Sequence, residues 1–459
     1  MIAIESSILN QIEKIVGSKY LITKSDLLYN YSKDCTSNKE VVPSAVVLPK
    51  NTQEISDIIT LCNETKTSVT VRGGGTGVSG GALSNHKGII LSLERLNNII
   101  EINKVDRIAI VESGVITQDL RDAALKEGLN FPQNISSASS CFIGGNVAVA
   151  SGSPKSLKYG TTKNYVVNLE VVLPDGSIIW TGKNVSKNAT GYNLTQLITG
   201  SEGTLGIITK VVLKLVPPMK ELVFMVPFTN INNLFKCVKH FFEKGYSASS
   251  IEFIDAVGFR LASQFLDNTF HTTSDVQGVL WIELEGEYPE KLMDRAIEIG
   301  EFVNLYTKEE VHIADTPTEV KKLWEMRSKV GEAVINHTFF RDVDIVVPRS
   351  KVDQMYEAIV IIANKYNFDY TVFGHIGDGN FHVNIFQRKQ QTIEEWENNI
   401  AIWVKEIFLK ALELGGTISG EHGIGKTNLP YIEDAIPTNQ LKVMNDIKKL
   451  FDVNQIINQ

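Results

Sequence analysis

Residues Ser68–Gly81 read SVTVRGGGTGVSGG. SVTVRG has the β-branched alternation of a strand, and it runs straight into a loop with six glycines between Gly73 and Gly81. Ordering that many glycines costs backbone entropy, so a casual surface turn is a poor explanation. Successive glycine N–H groups can curl around an anion with no side chain in the way, and a diphosphate is the natural guest. Gly75, Gly77 and Gly80 also fit G-x-G-x-x-G, the dinucleotide fingerprint. That fingerprint requires a helix opening at the last glycine. Here GALSNHKG follows, a poor helix. No Lys-Ser or Lys-Thr stands where a Walker loop needs one.

Outward from this loop, VVPSAVVLP (41–49) reads as a strand and NTQEISDIITLCNET (51–65) as a helix, with Asn51 or Thr52 as its cap. GIILSL and RIAIVESG are strands, and TQDLRDAALKEG is a helix. NYVVNLEVVLPDGSIIWTG is a hairpin turning at Asp175-Gly176. Pro217-Pro218 then breaks the pattern. Beyond it, helices over 231–244, 289–303 and 317–337 alternate with strands in GVLWIELEG and FRDVDIVVP. The class is α+β. The expected domains are 1–218, 219–415 and a C-terminal helical segment, 416–459, that returns to the first.

With 459 residues the chain has room for two or three domains. A net charge of -8 argues against a nucleic-acid partner. Its four cysteines form no C-x-x-C pair, which excludes a zinc ribbon or a cysteine-held iron–sulfur cluster. They read as small buried apolar residues. No apolar run approaches the ~18 residues of a spanning helix. Ile8, Leu9, Ile12, Ile15 and Val16 fall at helical spacing, as in a surface helix packed on the body, and the start lacks a signal peptide's basic region.

Taken together, VRGGGTG, PQN, IGGNVA, KYGTT, LEVVLPDG and SEGTLGIIT resemble the FAD-binding domain of the vanillyl-alcohol oxidase/PCMH flavoproteins over about Glu40–Pro218. The resemblance implies a two-part FAD-binding domain. It puts the pyrophosphate in the loop Arg72, Gly73, Gly74, Gly75, Thr76 and Gly77. It lines the rest of the flavin with Pro132–Ala150, including Pro132, Gln133, Ser139, Gly144, Gly145 and Asn146, and with Gly203–Ile207. Many members hold FAD through a histidine near the glycine loop. None stands between Arg72 and Leu83, and His86 lies outside the motif. Non-covalent FAD is therefore expected. Ser151-Gly152-Ser153 departs from the family's usual Asn-Ala-Gly.

In FGHIGDGNFHVN (373–384), Asp378-Gly379 signals a two-residue hairpin turn. Pairing outward sets His375 opposite His382 and Phe373 opposite Asn384. Opposed residues share a face, so two imidazoles could share a metal. A carboxylate would complete a three-ligand set. GGTISGEHGIGK (415–426) offers Glu421 beside His422.

GHIGDGNFHVN and GEHGIG also resemble the FAD-dependent D-2-hydroxyacid dehydrogenases, the group of D-lactate dehydrogenase, the glycolate oxidase flavin subunit and D-2-hydroxyglutarate dehydrogenase. The resemblance implies His375, His382 and Glu421 as ligands of a divalent metal, often zinc. It implies His422 as catalytic base and Arg327 as clamp on the substrate carboxylate. Asn384, beside the histidines, is the expected hydrogen-bond partner of the substrate. Hydroxyglutarate enzymes add a Thr and a Lys four and fifteen places after the arginine. Here Gly331 and Asp342 stand there, with Arg341 as a substitute cation. That favours a small acid such as D-lactate or glycolate over D-2-hydroxyglutarate.

The expected acceptor is not NAD but a quinone, a cytochrome, an electron-transfer flavoprotein or an iron–sulfur subunit. The expected location is cytoplasmic; a peripheral position at the inner face of the membrane and a homodimer stay open. The rival readings are an NADPH-dependent flavin reductase, a metal-dependent hydrolase and a non-catalytic flavoprotein subunit.

Overall fold

A computed structural model of the chain describes residues 4–36, 40–85, 88–266 and 275–458; His86 lies outside them. The chain divides into two compact units. The first takes Met1–Gly152, Thr161–Pro218 and Glu421–Gln459, and the second takes Ser153–Gly160 and Met219–Gly420. The chain thus re-enters the first unit at Glu421 rather than at 416. The short excursion Ser153–Gly160 has no sequence signal.

The first unit holds two sheets. One runs Leu21–Ile22, Ala45–Val47, Ile89–Ser92, Val69–Arg72 in spatial order, its last three strands parallel. Val46, Val47 and Ile89–Leu91 are fully buried, as parallel strands covered on both faces must be. The helix Thr52–Thr65 makes the crossover, with Asn51 Oδ1 accepting the Glu54 N–H at 2.9 Å. The helix Ser6–Val16 buries Ile8, Ile12 and Val16 against it. The other sheet is antiparallel, in the order Ile99–Asn103, Ile108–Glu112, Ile207–Lys214, Val166–Val172, Ile178–Trp180. Ile12, Ile55, Val69, Leu91, Val172, Ile207 and Ile457 form one core. Ile457 is there because the C-terminus pairs with the strand that leads into the glycine loop: Val69 N–H donates to Ile456 O (2.7 Å) and Asn458 N–H to Val69 O (3.0 Å).

The second unit is built on a seven-stranded antiparallel sheet. Its order is His312–Ala314, Lys220–Phe228, Gly278–Gly286, Ser250–Asp255, Asp369–Gly374, Asn380–Phe386, Phe340–Val346. On one face Val223, Met225, Ile254 and Trp281 pack against Leu323, Met326 and Val330. On the other, Phe253 meets Phe235 with tilted rings and Tyr356 edge to face. The helix expected over 317–337 is two, Pro317–Ser328 and Val330–His337. Gly331, a weak helix former, sits in the second one's first turn. Cys62, Cys141 and Cys237 are buried as expected, but Cys35 is exposed. Among the described residues no helix is long and apolar enough to cross a membrane.

Candidate active site

In the first unit the glycine loop forms one wall of a cavity. Gly73, Gly74, Gly75, Thr76 and Gly77 line it from the strand end, Gly144, Gly145 and Asn146 from the helix Ile143–Val149, and Gly203 and Gly206 from the entry to the second sheet. Two features fit a large polar cofactor. A Cβ on Gly77 or Gly145 would project into open space, so the loop and helix present bare backbone to the cavity. Ser113 Oγ, buried on the wall, has no hydrogen-bond partner among the described residues, and a buried polar atom in that state points to a ligand.

Five of the expected contacts stand elsewhere. Arg72 does not border the cavity; its Nη2 donates to Lys33 O at 2.8 Å and its Nη1 to Ala82 O at 3.4 Å. It braces the loop from behind. Ile207 is fully buried in the core, because the first residue of its strand turns inward while its neighbours Gly206 and Ile208 face the cavity. Gln133 is fully buried and Ser139 is exposed, and neither lines the cavity. Pro132 is likewise buried beside Phe131.

His422 lines the same cavity. Its loop is held within the first unit: Ser79 Oγ donates to His422 O (3.0 Å) and Glu202 accepts the N–H groups of Ile424 (2.9 Å) and Gly425 (2.8 Å). Glu421 lies beside it, with Oε1 3.8 Å from His422 Nε2. A Cβ at Gly152 would come within 2.3 Å of Glu421 Oε2, so the glycine of the Ser-Gly-Ser departure makes room for that carboxylate. Asn458 is a cavity residue that sequence reading missed. Its Oδ1 accepts the Val71 N–H (2.9 Å) and its Nδ2 donates to Glu202 O (2.9 Å). No local pattern marks a residue next to the end of the chain.

In the second unit the histidine hairpin has a different register from the one expected. Phe373 pairs with His382 and Thr371 with Asn384. A 3-10 turn, Ile376–Asp378, replaces the two-residue turn; Asp378 N–H and Asn380 N–H both return to His375 O, and Gly379 closes it at φ +80°. The shift is two residues, an even number, so each side chain keeps its face. His375 therefore still meets His382, with ring centroids 5.5 Å apart and planes at 89°.

His375 Nδ1 lies 2.8 and 2.9 Å from the two oxygens of Glu252. A carboxylate only accepts, so Nδ1 carries the hydrogen, and in the neutral ring Nε2 is the nitrogen with the lone pair. Glu252 Oε2 also meets Arg327 Nη2 at 2.5 Å. Arg327 ends the helix Pro317–Ser328, is 5% exposed, and lies 5.3 Å over the Phe373 ring. Complete burial would raise the Glu252 pKa, but His375 and Arg327 outweigh it and hold the carboxyl below its ordinary range.

Asn384 and His382 share their face with Asp342 and Asp344. Asn384 Nδ2 donates to Asp342 Oδ1 at 3.0 Å. Asp344 Oδ1 accepts from Asn380 Nδ2 (2.7 Å) and its Oδ2 from the Gly420 N–H (2.8 Å). Strand alternation turns Arg341 to the opposite face, paired with Ile385. It therefore does not stand in for the missing lysine.

A family model described as "FAD binding domain" matches residues 43–182, and one described as "FAD linked oxidases, C-terminal domain" matches 217–459. Glycolate oxidase subunit GlcD of Bacillus subtilis is 37% identical over 93% of this chain and 90% of its own length. D-lactate dehydrogenase of Anaerostipes hadrus is 33% identical over 91% of this chain and 88% of its own. D-2-hydroxyglutarate dehydrogenase of Stutzerimonas stutzeri is 30% identical over 99% and 98%. Among solved structures, 4-ethylphenol oxidase from Gulosibacter chungangensis superposes with a TM-score of 0.77 at 17% identity, over 99% of this chain and 96% of the other. p-Cresol methylhydroxylase does so at 0.75 and 16%, over 99% and 95%. The fold is that of the PCMH-type flavoproteins.

Proposed function

This chain belongs to the FAD-linked oxidases, and within that family we propose that it oxidises a small D-2-hydroxy acid, D-lactate or glycolate in kind, to the 2-oxo acid. The observation that carries the reading is the position of His422 on the wall of the FAD cavity. An alcohol oxidation needs a base beside the electron acceptor, and an imidazole titrating near neutrality suits that task.

When bound, FAD supplies the acceptor for the C2 hydride at N5, and a divalent metal, zinc for preference, supplies a Lewis acid for the hydroxyl oxygen. His375 and His382 would hold the metal. Glu421 is the proposed third ligand. Metal-binding imidazoles usually donate their other N–H to a carboxylate, and His375 already does so to Glu252. His422 takes the hydroxyl proton. Arg327 grips the substrate carboxylate and fixes the face presented to the flavin. Asn384 orients the substrate next to His382. FAD is held without a covalent bond, since the loop Arg72–Gly77 offers no histidine. Electrons leave to an acceptor other than NAD.

Asp342 supports a monocarboxylic substrate. Hydrogen-bonded to Asn384 on the face that carries His382, its charge would repel a second carboxylate. The second reading, oxidation of D-2-hydroxyglutarate, is favoured by a relative of that name matched over 99% of the chain. Comparing kcat/KM for D-lactate, glycolate and D-2-hydroxyglutarate separates the two. Asp342→Lys should shift the preference toward the dicarboxylate by ~10-fold or more, through removal of a like charge. A wild-type preference for D-2-hydroxyglutarate would overturn the monocarboxylate reading.

A further inference from the structure

The buried carboxylate Glu252 belongs to none of the roles above, yet it touches two of the residues that carry them. It sits in the strand Ser250–Asp255 near the middle of the second unit's sheet and is fully buried. Three elements meet at it. Ser250 Oγ on its own strand donates to Oε1 (3.2 Å), His375 at the exit of the neighbouring strand donates from Nδ1, and Arg327 reaches down from its helix. A lone buried carboxylate is costly, and a single cation would be enough to neutralise it. Glu252 instead holds two such groups, the imidazole at both of its oxygens and the guanidinium at Oε2.

We propose that Glu252 is a positioning residue that couples the metal ligand His375 to the substrate clamp Arg327. The inference rests on the proposed function. Toward His375 it fixes the tautomer: with Nδ1–H committed to the carboxylate, Nε2 is the nitrogen left to bind a cation. Toward Arg327 it occupies Nη2 and, with the Phe373 ring on the flank, holds the guanidinium in one plane. Arg327 Nε is buried and has no hydrogen-bond partner among the described residues. A donor left in that state is poised for an incoming acceptor, and a substrate carboxylate is such an acceptor. One carboxylate thereby sets the direction of both groups, so its removal should weaken metal and acid binding together.

The test is Glu252→Gln in the FAD-loaded protein, which keeps side-chain size and removes the charge. Zn2+ is the probe, titrated against a chromogenic chelator after metal stripping. Zn2+ affinity should fall ~10–100-fold, the usual effect of removing a ligand's outer carboxylate, with FAD content unchanged. KM for the acid should rise more than kcat falls. Arg327→Gln alone should leave Zn2+ affinity within about twofold, far less than the loss of an outer carboxylate. If the single Glu252 variant does not fold, the charge-neutral pair Glu252→Gln/Arg327→Gln replaces it, and the same Zn2+ loss is expected. Wild-type Zn2+ affinity in the variant that folds would overturn the inference while leaving the metal site standing. A wild-type protein that takes up no Zn2+ would overturn the metal site, and this inference with it.

Discussion

His382 illustrates how much one residue's setting decides. It is 4% exposed, flanked by Phe373 at 5.4 Å between ring centroids and by His375 at 5.5 Å. Two imidazoles brought together with so little water are a metal-binding pair or an expensive accident. His382→Ala should strip most of the bound divalent metal and abolish turnover while leaving the flavin spectrum intact, since FAD is cradled by the first unit. Metal analysis and visible absorbance read the two effects separately; full metal content would remove His382 from the site. Arg327→Met should raise KM for the hydroxy acid by ~10–100-fold, the scale of losing a charge-assisted clamp. An unchanged KM would assign Arg327 to structure alone. At this scale the sequence was readable where motifs are dense: Gly73–Gly77 line the cavity as expected, and His375 meets His382. It was silent on Glu252 and Asn458. Glu252 in SIEFID could have been noticed as a charge within a strand, flanked by the buried Ile251 and Phe253. Its partners, however, come from 75 and 123 places away, and no local pattern carries such distances.

The elements show where local rules held and where packing overrode them. The helix Thr52–Thr65 and the hairpin at Asp175-Gly176 follow their cap and turn residues, with Val172 opposite Ile178. The histidine hairpin does not follow Asp378-Gly379, because the chain closes with a 3-10 turn before those residues can pair. The segment Ser153–Gly160 is set by charge. Lys155, buried, pairs with Glu221, Glu283 (3.0 Å) and Glu285 (2.6 Å), and Lys158 and Tyr159 add contacts to Glu285. Lys155→Met would leave buried carboxylates without their cation and should cost ~3–5 kcal/mol, seen as a lower urea midpoint. An unchanged midpoint would contradict this. Asp255 makes a pH prediction. Burial pushes its pKa up to about 6 from 3.8, although Gly258 and Val372 N–H groups and the Thr371 hydroxyl donate to it. The folded state then holds the proton more tightly than the unfolded chain does. This group favours folding below about pH 3.8, and the contribution is lost as pH rises through about 6. Asp255→Asn should flatten the stability slope between those values, and an unaltered slope in urea titrations at several pH values would refute the assignment.

For the molecule as a whole, class and cofactor were legible because phosphate cradles and buried parallel strands have short, dense signatures. The division into units was less so. Glu421 rather than 416 begins the returning segment, and the C-terminal pairing of Ile457 and Asn458 with the strand at Val69 is a long-range event. The proposed activity is the metal-assisted oxidation of a small D-2-hydroxy acid by bound FAD. Its most direct test is anaerobic bleaching of the flavin band near ~450 nm, a property of the cofactor. D-lactate, L-lactate, glycolate and D-2-hydroxyglutarate would be added in turn, with and without a chelator. D-lactate or glycolate should bleach the band, L-lactate should not, and the chelator should suppress the reaction. A bound flavin that none of the four acids reduces would contradict it.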